Sequence, residues 1–169
     1  ELGFENQPNL ISEAVAIELA GATAYPLVYM TSENAIGWIA KNLASSTLPE
    51  KIALFKDKLK FRELTKPLFP EFYFKGVDID ELRNLEFSTL PLPFIIKPTV
   101  GFFSMGVYKV SNHQEWLDSI NSIHAEMQQL RDLYPEAVLD TGRFIIEQYI
   151  SGEEFAIDAY FDGNGEPVI

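Results

Sequence analysis

Apolar and polar positions alternate along this chain with two distinct periods, and the periods divide it into elements. Residues 10–20, Leu-Ile-Ser-Glu-Ala-Val-Ala-Ile-Glu-Leu-Ala, carry a helical pattern with Gly21 as its stop. Tyr25-Pro-Leu-Val-Tyr-Met30 reads as a short buried strand. Thr31 or Ser32 then caps a helix over Glu33 to Ala44, with Ile36, Trp38, Ile39 and Leu43 on its apolar side. Helix, strand and helix at this spacing predict an α/β layer with a parallel sheet.

After the polar break Ser45-Ser-Thr-Leu-Pro49, residues 52–66 show an imperfect apolar stripe of Leu54, Phe55, Leu59, Phe61 and Leu64, ended by Pro67. Asp57 suits a helix start, where a carboxylate is favoured. Glu71 to Lys75 has strand character, and residues 76–89 form an acidic link with room for a short helix. The strongest helix spans 112–134. Trp116, Ile120, Ile123, Met127, Leu130 and Tyr134 form one stripe, Ser111 or Asn112 is the cap and Pro135 the stop. Arg143 to Ile150 reads as a strand, Glu153 to Phe161 as its hairpin partner, and Asp162-Gly-Asn-Gly165 as a hairpin turn into a last strand from Glu166.

Composition narrows the class. With 47% hydrophobic residues, the 169-residue chain can build a core and is not of the disordered type. It has no run long enough to cross a membrane and no basic-then-apolar leader, so a cytoplasmic protein is expected. The first residues, Glu1-Leu-Gly-Phe, do not look like a natural chain start, and an initial strand and loop are expected to precede them. The absence of cysteine excludes disulfides, thiolate metal sites and cysteine nucleophiles. A net charge of −12 repels nucleic acid and anionic membranes, so neither is an expected partner. It also repels nucleotides, so a phosphate site here needs a local cluster of lysines and a magnesium ion.

One stretch offers such chemistry. Phe94-Ile-Ile-Lys97-Pro98 is an apolar strand that delivers a lysine to a fixed place. The loop Gly101-Phe-Phe-Ser104-Met105-Gly106 follows, and its glycines allow the backbone close to a bulky anion. A Gly-x-x-x-x-Gly loop between strands is also a common plain turn. His113 and His124 fall on a helix face away from this stretch and read as surface or cap residues. No Gly-x-Ser-x-Gly hydrolase motif and no kinase catalytic-loop motif is present.

Three segments in order resemble the ATP-grasp superfamily of ATP-dependent ligases. They are Phe55-Lys-Asp57-Lys58-Leu-Lys-Phe-Arg62, the Phe94–Val107 stretch, and Phe144-Ile-Ile-Glu147-Gln148-Tyr149-Ile150-Ser-Gly152-Glu153-Glu154-Phe. The resemblance covers residues 25–169. It implies a partial Rossmann-like domain over 1–50, a linking helix and the start of the ATP-grasp subdomain over 51–93, and a nucleotide-binding subdomain of antiparallel strands with a covering helix over 94–169.

The resemblance also implies roles. Lys58 and Lys97 match lysines that hold ATP phosphates, and Gly101, Ser104, Met105 and Gly106 belong to a lid over them. Glu147 matches a carboxylate near the adenine amino group. Gln148, Tyr149 and Ile150 match the strand whose backbone bonds adenine, and Glu154 matches the acid that accepts from the ribose hydroxyls. The implied activity activates a carboxylate as an acyl phosphate and joins it to an amine, with ATP and Mg2+. The magnesium ligands are expected beyond residue 169. A non-catalytic nucleotide-binding or regulatory module stands as the alternative, and a plain α/β interaction domain as a third reading. Phe102, Phe103 and Gln148 depart from the family's usual residues. The substrates and the oligomeric state are not legible.

Overall fold

The computed structural model describes residues 7, 9–23, 26–30, 32, 35–134, 138–162, 164 and 166–169. Its centre is a four-stranded antiparallel sheet in the order β1 (Phe74–Asp78), β4 (Arg143–Gln148), β2 (Phe94–Pro98), β3 (Tyr108–Val110). The antiparallel strands with a covering helix are those expected for the latter half of the chain.

The alternation along these strands sorts the sheet into two unlike faces. On one face Val77, Phe94, Ile96, Val110, Phe144 and Ile146 are all buried. The helix α5 (His113–Leu130) lies on this face and buries Trp116, Ile120, Ile123 and Met127 in the same cluster. Its N-cap is Asn112, whose side chain accepts from Glu115 N–H at 3.0 Å, while Glu115 returns a carboxylate oxygen to Ser111 N–H at 2.7 Å. Short 3₁₀ turns over Ile79–Asn84 and Phe87–Thr89 add Ile79, Leu82 and Leu90 to the core.

The opposite face carries Phe74, Gly76, Ile95, Lys97, Ile145 and Glu147, by the register that pairs Ile95 and Phe74 with Glu147 and Lys97 and Gly76 with Ile145. The helix α4 (Lys58–Thr65) packs here. Leu59 sits so tightly on β1 that a Cβ added at Gly76 would lie 2.5 Å from Leu59 Cδ2. The glycine thus sets how near α4 comes to the sheet.

The single stripe expected over 52–66 is two helices, α3 (Leu48–Lys56) and α4. Asp57 is extended (φ −81°, ψ 108°) and breaks the run, then caps α4 by accepting from Leu59 and Lys60 N–H at 2.9 and 3.2 Å. This explains the imperfect stripe, because Phe55 and Leu64 belong to different helices and both are exposed.

The N-terminal region differs more. The helices α1 (Glu13–Gly21) and α2 (Ala35–Asn42) form, with Ser12 as the N-cap of α1. Residues 26–30 are not a strand: Leu27 and Tyr29 are almost wholly exposed and no neighbouring strand pairs with them. Among the described residues, no strand precedes Phe74 and no strand pair is parallel. Tyr25, Thr31 and Pro135 lie outside the described residues.

The hairpin expected between 143–150 and 153–161 is also not formed. Residues 151–159 are exposed and carry no strand, with Phe155 and Ile157 open to solvent. Their alternation needs a partner strand, and none of the described residues supplies one. Beyond Phe161, β5 (Tyr160–Phe161) does pair with β6 (Pro167–Val168), with Asp162 N–H donating to Glu166 O at 3.0 Å, while Gly163 and Gly165 lie outside the described residues.

Candidate functional site

The polar side of the sheet holds a concentration of cations that the overall charge conceals. Lys97 projects from β2 and Glu147 from β4, one diagonal step apart on adjacent antiparallel strands. They form an ion pair through Glu147 Oε1. Arg62, one turn along α4 from Lys58, donates Nε to Glu147 Oε2 at 2.8 Å. The Arg62 guanidinium lies over the Phe72 ring, 4.3 Å from its centroid. Glu147 is only 5% exposed. Burial pushes its pKa up, but the bonds and charges of Arg62 and Lys97 outweigh this, and it titrates below the ordinary carboxylate value.

Lys58 opens α4. Its backbone N–H donates to Thr99 O at 2.8 Å, and its ammonium reaches Gly101 O at 3.4 Å. The helix start is thereby tied to the start of the 99–106 loop. Burial, then the charges of Lys97 and Lys56, hold the Lys58 pKa below its ordinary value, with Glu147 and Asp57 acting in the opposite sense. Lys109, on the same sheet face, adds a further cation and rests 3.9 Å from the Tyr149 ring centroid.

A cleft of about 550 Å³ opens beside this cluster. Lys97, Glu147, Gln148, Tyr149, Ile150 and Glu154 line it, with Ile95, Val107 and residues 151–153. The size suits a nucleotide-sized ligand. Gln148 N–H and Tyr149 N–H are already engaged, donating to Tyr73 O at 3.0 Å and Pro93 O at 3.1 Å. Glu154 is exposed at the cleft rim.

Of the residues singled out in the sequence, six therefore share one cleft, and Lys58 stands beside it. Gly101, Ser104, Met105 and Gly106 do not line it. Their loop folds on itself, with Met105 N–H donating to Phe102 O and Val107 N–H to Ser104 O. Phe102 stacks edge-on against Tyr134 at 5.1 Å, while Phe103 is 90% exposed. Phe103 and Ser104 both hold left-handed backbone (φ 49° and 56°), costly for residues with a side chain. Gly106 is fixed from the other side: its N–H donates to Glu126 Oε1 at 3.1 Å, and Tyr108 Oη donates to Glu126 Oε2 at 3.0 Å.

Arg62 and Lys109 were not among the residues singled out. Arg62 had a signal, the four-residue step from Lys58 that puts both on one helix face. Lys109 had only the strand alternation. His113 is exposed at the start of α5, as expected. His124 is not a plain surface residue: it is half-buried and its Nε2 is buried without a hydrogen-bond partner. Among the described residues, no three His, Asp or Glu side chains gather to hold a metal ion. The described acids thus do not fit a magnesium site by themselves.

Residues 90–169 match the family model for the ATP-grasp domain. Over that segment the chain is similar to the ATP-grasp family. The matched segment holds β2, β3, α5, β4 and the whole cleft lining.

Similar curated proteins are D-alanine–D-alanine ligases. One, from Anaplasma centrale, is 31% identical over 101 residues, covering 58% of this chain and 41% of the relative. Another, from Anaplasma marginale (strain Florida), is 34% identical over 101 residues, covering 58% of this chain and 25% of the relative. The chain thus spans well under half the length of these relatives. A crystal structure of the D-alanine–D-alanine ligase from Helicobacter pylori aligns with a TM-score of 0.40 at 20% identity, over 57% of this chain and 27% of that one. No helix among the described residues is long and apolar enough to cross a membrane.

Proposed function

We propose that this chain is the ATP-binding part of an ATP-grasp ligase that activates a carboxylate as an acyl phosphate and joins it to an amine. The observation that carries this is the cleft in which Lys97 and Glu147 stand beside the exposed strand end 148–150. The relatives named for joining two D-alanines perform a reaction of this class, so the class, and not the amino acid, is what we carry over.

In this reading Lys58 and Lys97 neutralise the polyphosphate through charge-assisted bonds. Glu147 accepts from the adenine amino group. With the Gln148 and Tyr149 N–H groups already engaged, the backbone donor to the adenine edge is the Ile150 N–H. Glu154 accepts from the ribose diol. The loop carrying Gly101, Ser104, Met105 and Gly106 swings over the phosphates, and Ser104 donates to one of them.

The reaction balances simply. A carboxylate oxygen attacks the terminal phosphorus, the bond from that phosphorus to the ADP oxygen breaks, and ADP leaves. The amine then attacks the acyl carbon, inorganic phosphate leaves, and the nitrogen releases a proton. These residues contribute positioning and charge rather than proton transfer, as in other phosphoryl transfers.

The test uses the full-length protein with Mg-ATP. Phosphate release that requires both an added carboxylate and an amine is the expected result. ATP binding without any such release would favour a nucleotide-binding module, and no binding would overturn both.

A further inference from the structure

We infer that Arg62 is a positioning residue of the nucleotide site, holding Glu147 from behind so that Lys97 can turn from this carboxylate to the phosphates. The inference rests on the reading that the cleft takes ATP.

Glu147 lies on a strand with neighbours on both sides and is almost wholly buried. A buried carboxylate left without a counterion is strongly unfavourable. With Lys97 as its single partner it would hold that lysine back from any incoming anion. The structure gives it two partners, one per oxygen: Lys97 on Oε1 and Arg62 on Oε2.

The two cations are not equivalent. Lys97 lines the cleft, on a long flexible stem. Arg62 does not line the cleft, and its guanidinium rests over the Phe72 ring. Lys58 also stands close enough for its charge to be felt together with that of Lys97. An anion entering between them finds Lys97 free to reorient, while Arg62 stays with the carboxylate. Glu147 thereby remains ionised and aimed into the cleft as an acceptor. No phosphate contact by Arg62 is required.

The test is a double-mutant cycle on Mg-ATP affinity, by titration calorimetry, with wild type, Arg62→Gln, Glu147→Gln and the double variant. Arg62→Gln should weaken ATP by about tenfold, a charge-assisted bond's worth. In the Glu147→Gln background the same substitution should change affinity less than about twofold, because the group it positions is gone. An equal loss in both backgrounds would show that Arg62 meets ATP itself and would overturn the inference. No loss in the single variant would overturn it too. A merely structural Arg62 would lower the melting temperature without this dependence of affinity on background. Should Arg62→Gln fail to fold, Arg62→Lys takes its place, with a smaller loss that likewise vanishes beside Glu147→Gln. Wild type that binds no ATP is a separate result, and it overturns the reading of the cleft as well.

Discussion

Lys97 and Glu147, one diagonal step apart on β2 and β4, form an ion pair on the face of the sheet that the long helix leaves uncovered. Everything else at the site is arranged around this pair. α4 brings Lys58 and Arg62 to it, and β4 continues from Glu147 into the strand end that edges the cleft.

Lys97→Ala should therefore act twice. It removes a phosphate ligand, at about 1–3 kcal/mol of ATP affinity, and it leaves Glu147 with one counterion, at about 1–3 kcal/mol of stability. Calorimetric titration and urea unfolding separate the two. Unchanged affinity in a folded variant would remove Lys97 from the site.

Gly76→Ala tests how α4 is seated. The new Cβ would lie 2.5 Å from Leu59 Cδ2, so the leucine or the helix must move. A loss of about 1–3 kcal/mol is expected, with weaker ATP binding because Lys58 and Arg62 ride on the same helix. Leu59→Ala in the same chain should relieve the clash. If Gly76→Ala is as stable as wild type, the close approach is not as described.

Gly106→Ala should destabilise the loop end by about 1–3 kcal/mol. Its φ of +66° disfavours a side chain, and a Cβ would lie 2.9 Å from Met127 Cε and 3.1 Å from Pro98 Cγ. Thermal melts report the cost. Glu126→Gln keeps the shape but weakens the acceptor for Gly106 N–H and Tyr108 Oη, and should speed proteolysis within 101–106 before it alters the melting temperature.

The pH dependence of stability has two limbs. Glu147 titrates lower in the fold than its ordinary value of 4.5, so the unfolded chain takes up this proton first as pH falls. Its stabilisation is complete above about that value and is lost as pH drops through the lowered folded one. Lys58 also titrates lower in the fold than its ordinary 10.5, so the unfolded chain keeps this proton longer as pH rises. Stability from Lys58 therefore increases between its lowered folded value and 10.5, while affinity for a polyphosphate falls over the same range. Urea midpoints across pH should show a shallower acid limb in Glu147→Gln and a shallower alkaline limb in Lys58→Met.

Periodicity read residues 94–148 well. The stripe from Trp116 to Met127 is the core face of α5, and the burial of Phe94, Ile96, Phe144 and Ile146 follows the strand alternation. The same reasoning failed at residues 26–30 and 151–159, where Leu27, Val28, Tyr29, Phe155 and Ile157 remain exposed because no described strand pairs with them. It also could not see that Asp57 ends one helix and caps the next, since a capping carboxylate looks the same inside an amphipathic run. At the site, Lys97 and Glu147 could be singled out by motif. Their pairing, and the share of Glu147 taken by Arg62, depend on strand register and helix placement, which local pattern does not encode.

The most direct measurement is a titration of Mg-ATP into uniformly ¹⁵N-labelled protein with assigned amide resonances. Binding in the cleft should shift the amides of Lys97, Glu147, Gln148, Tyr149 and Ile150 together, with the Ile150 N–H moved furthest downfield as it gains an acceptor. Saturable shifts confined to the opposite face, around Phe87 and Trp116, or no saturable shifts, would contradict the placement of the nucleotide between these two edges.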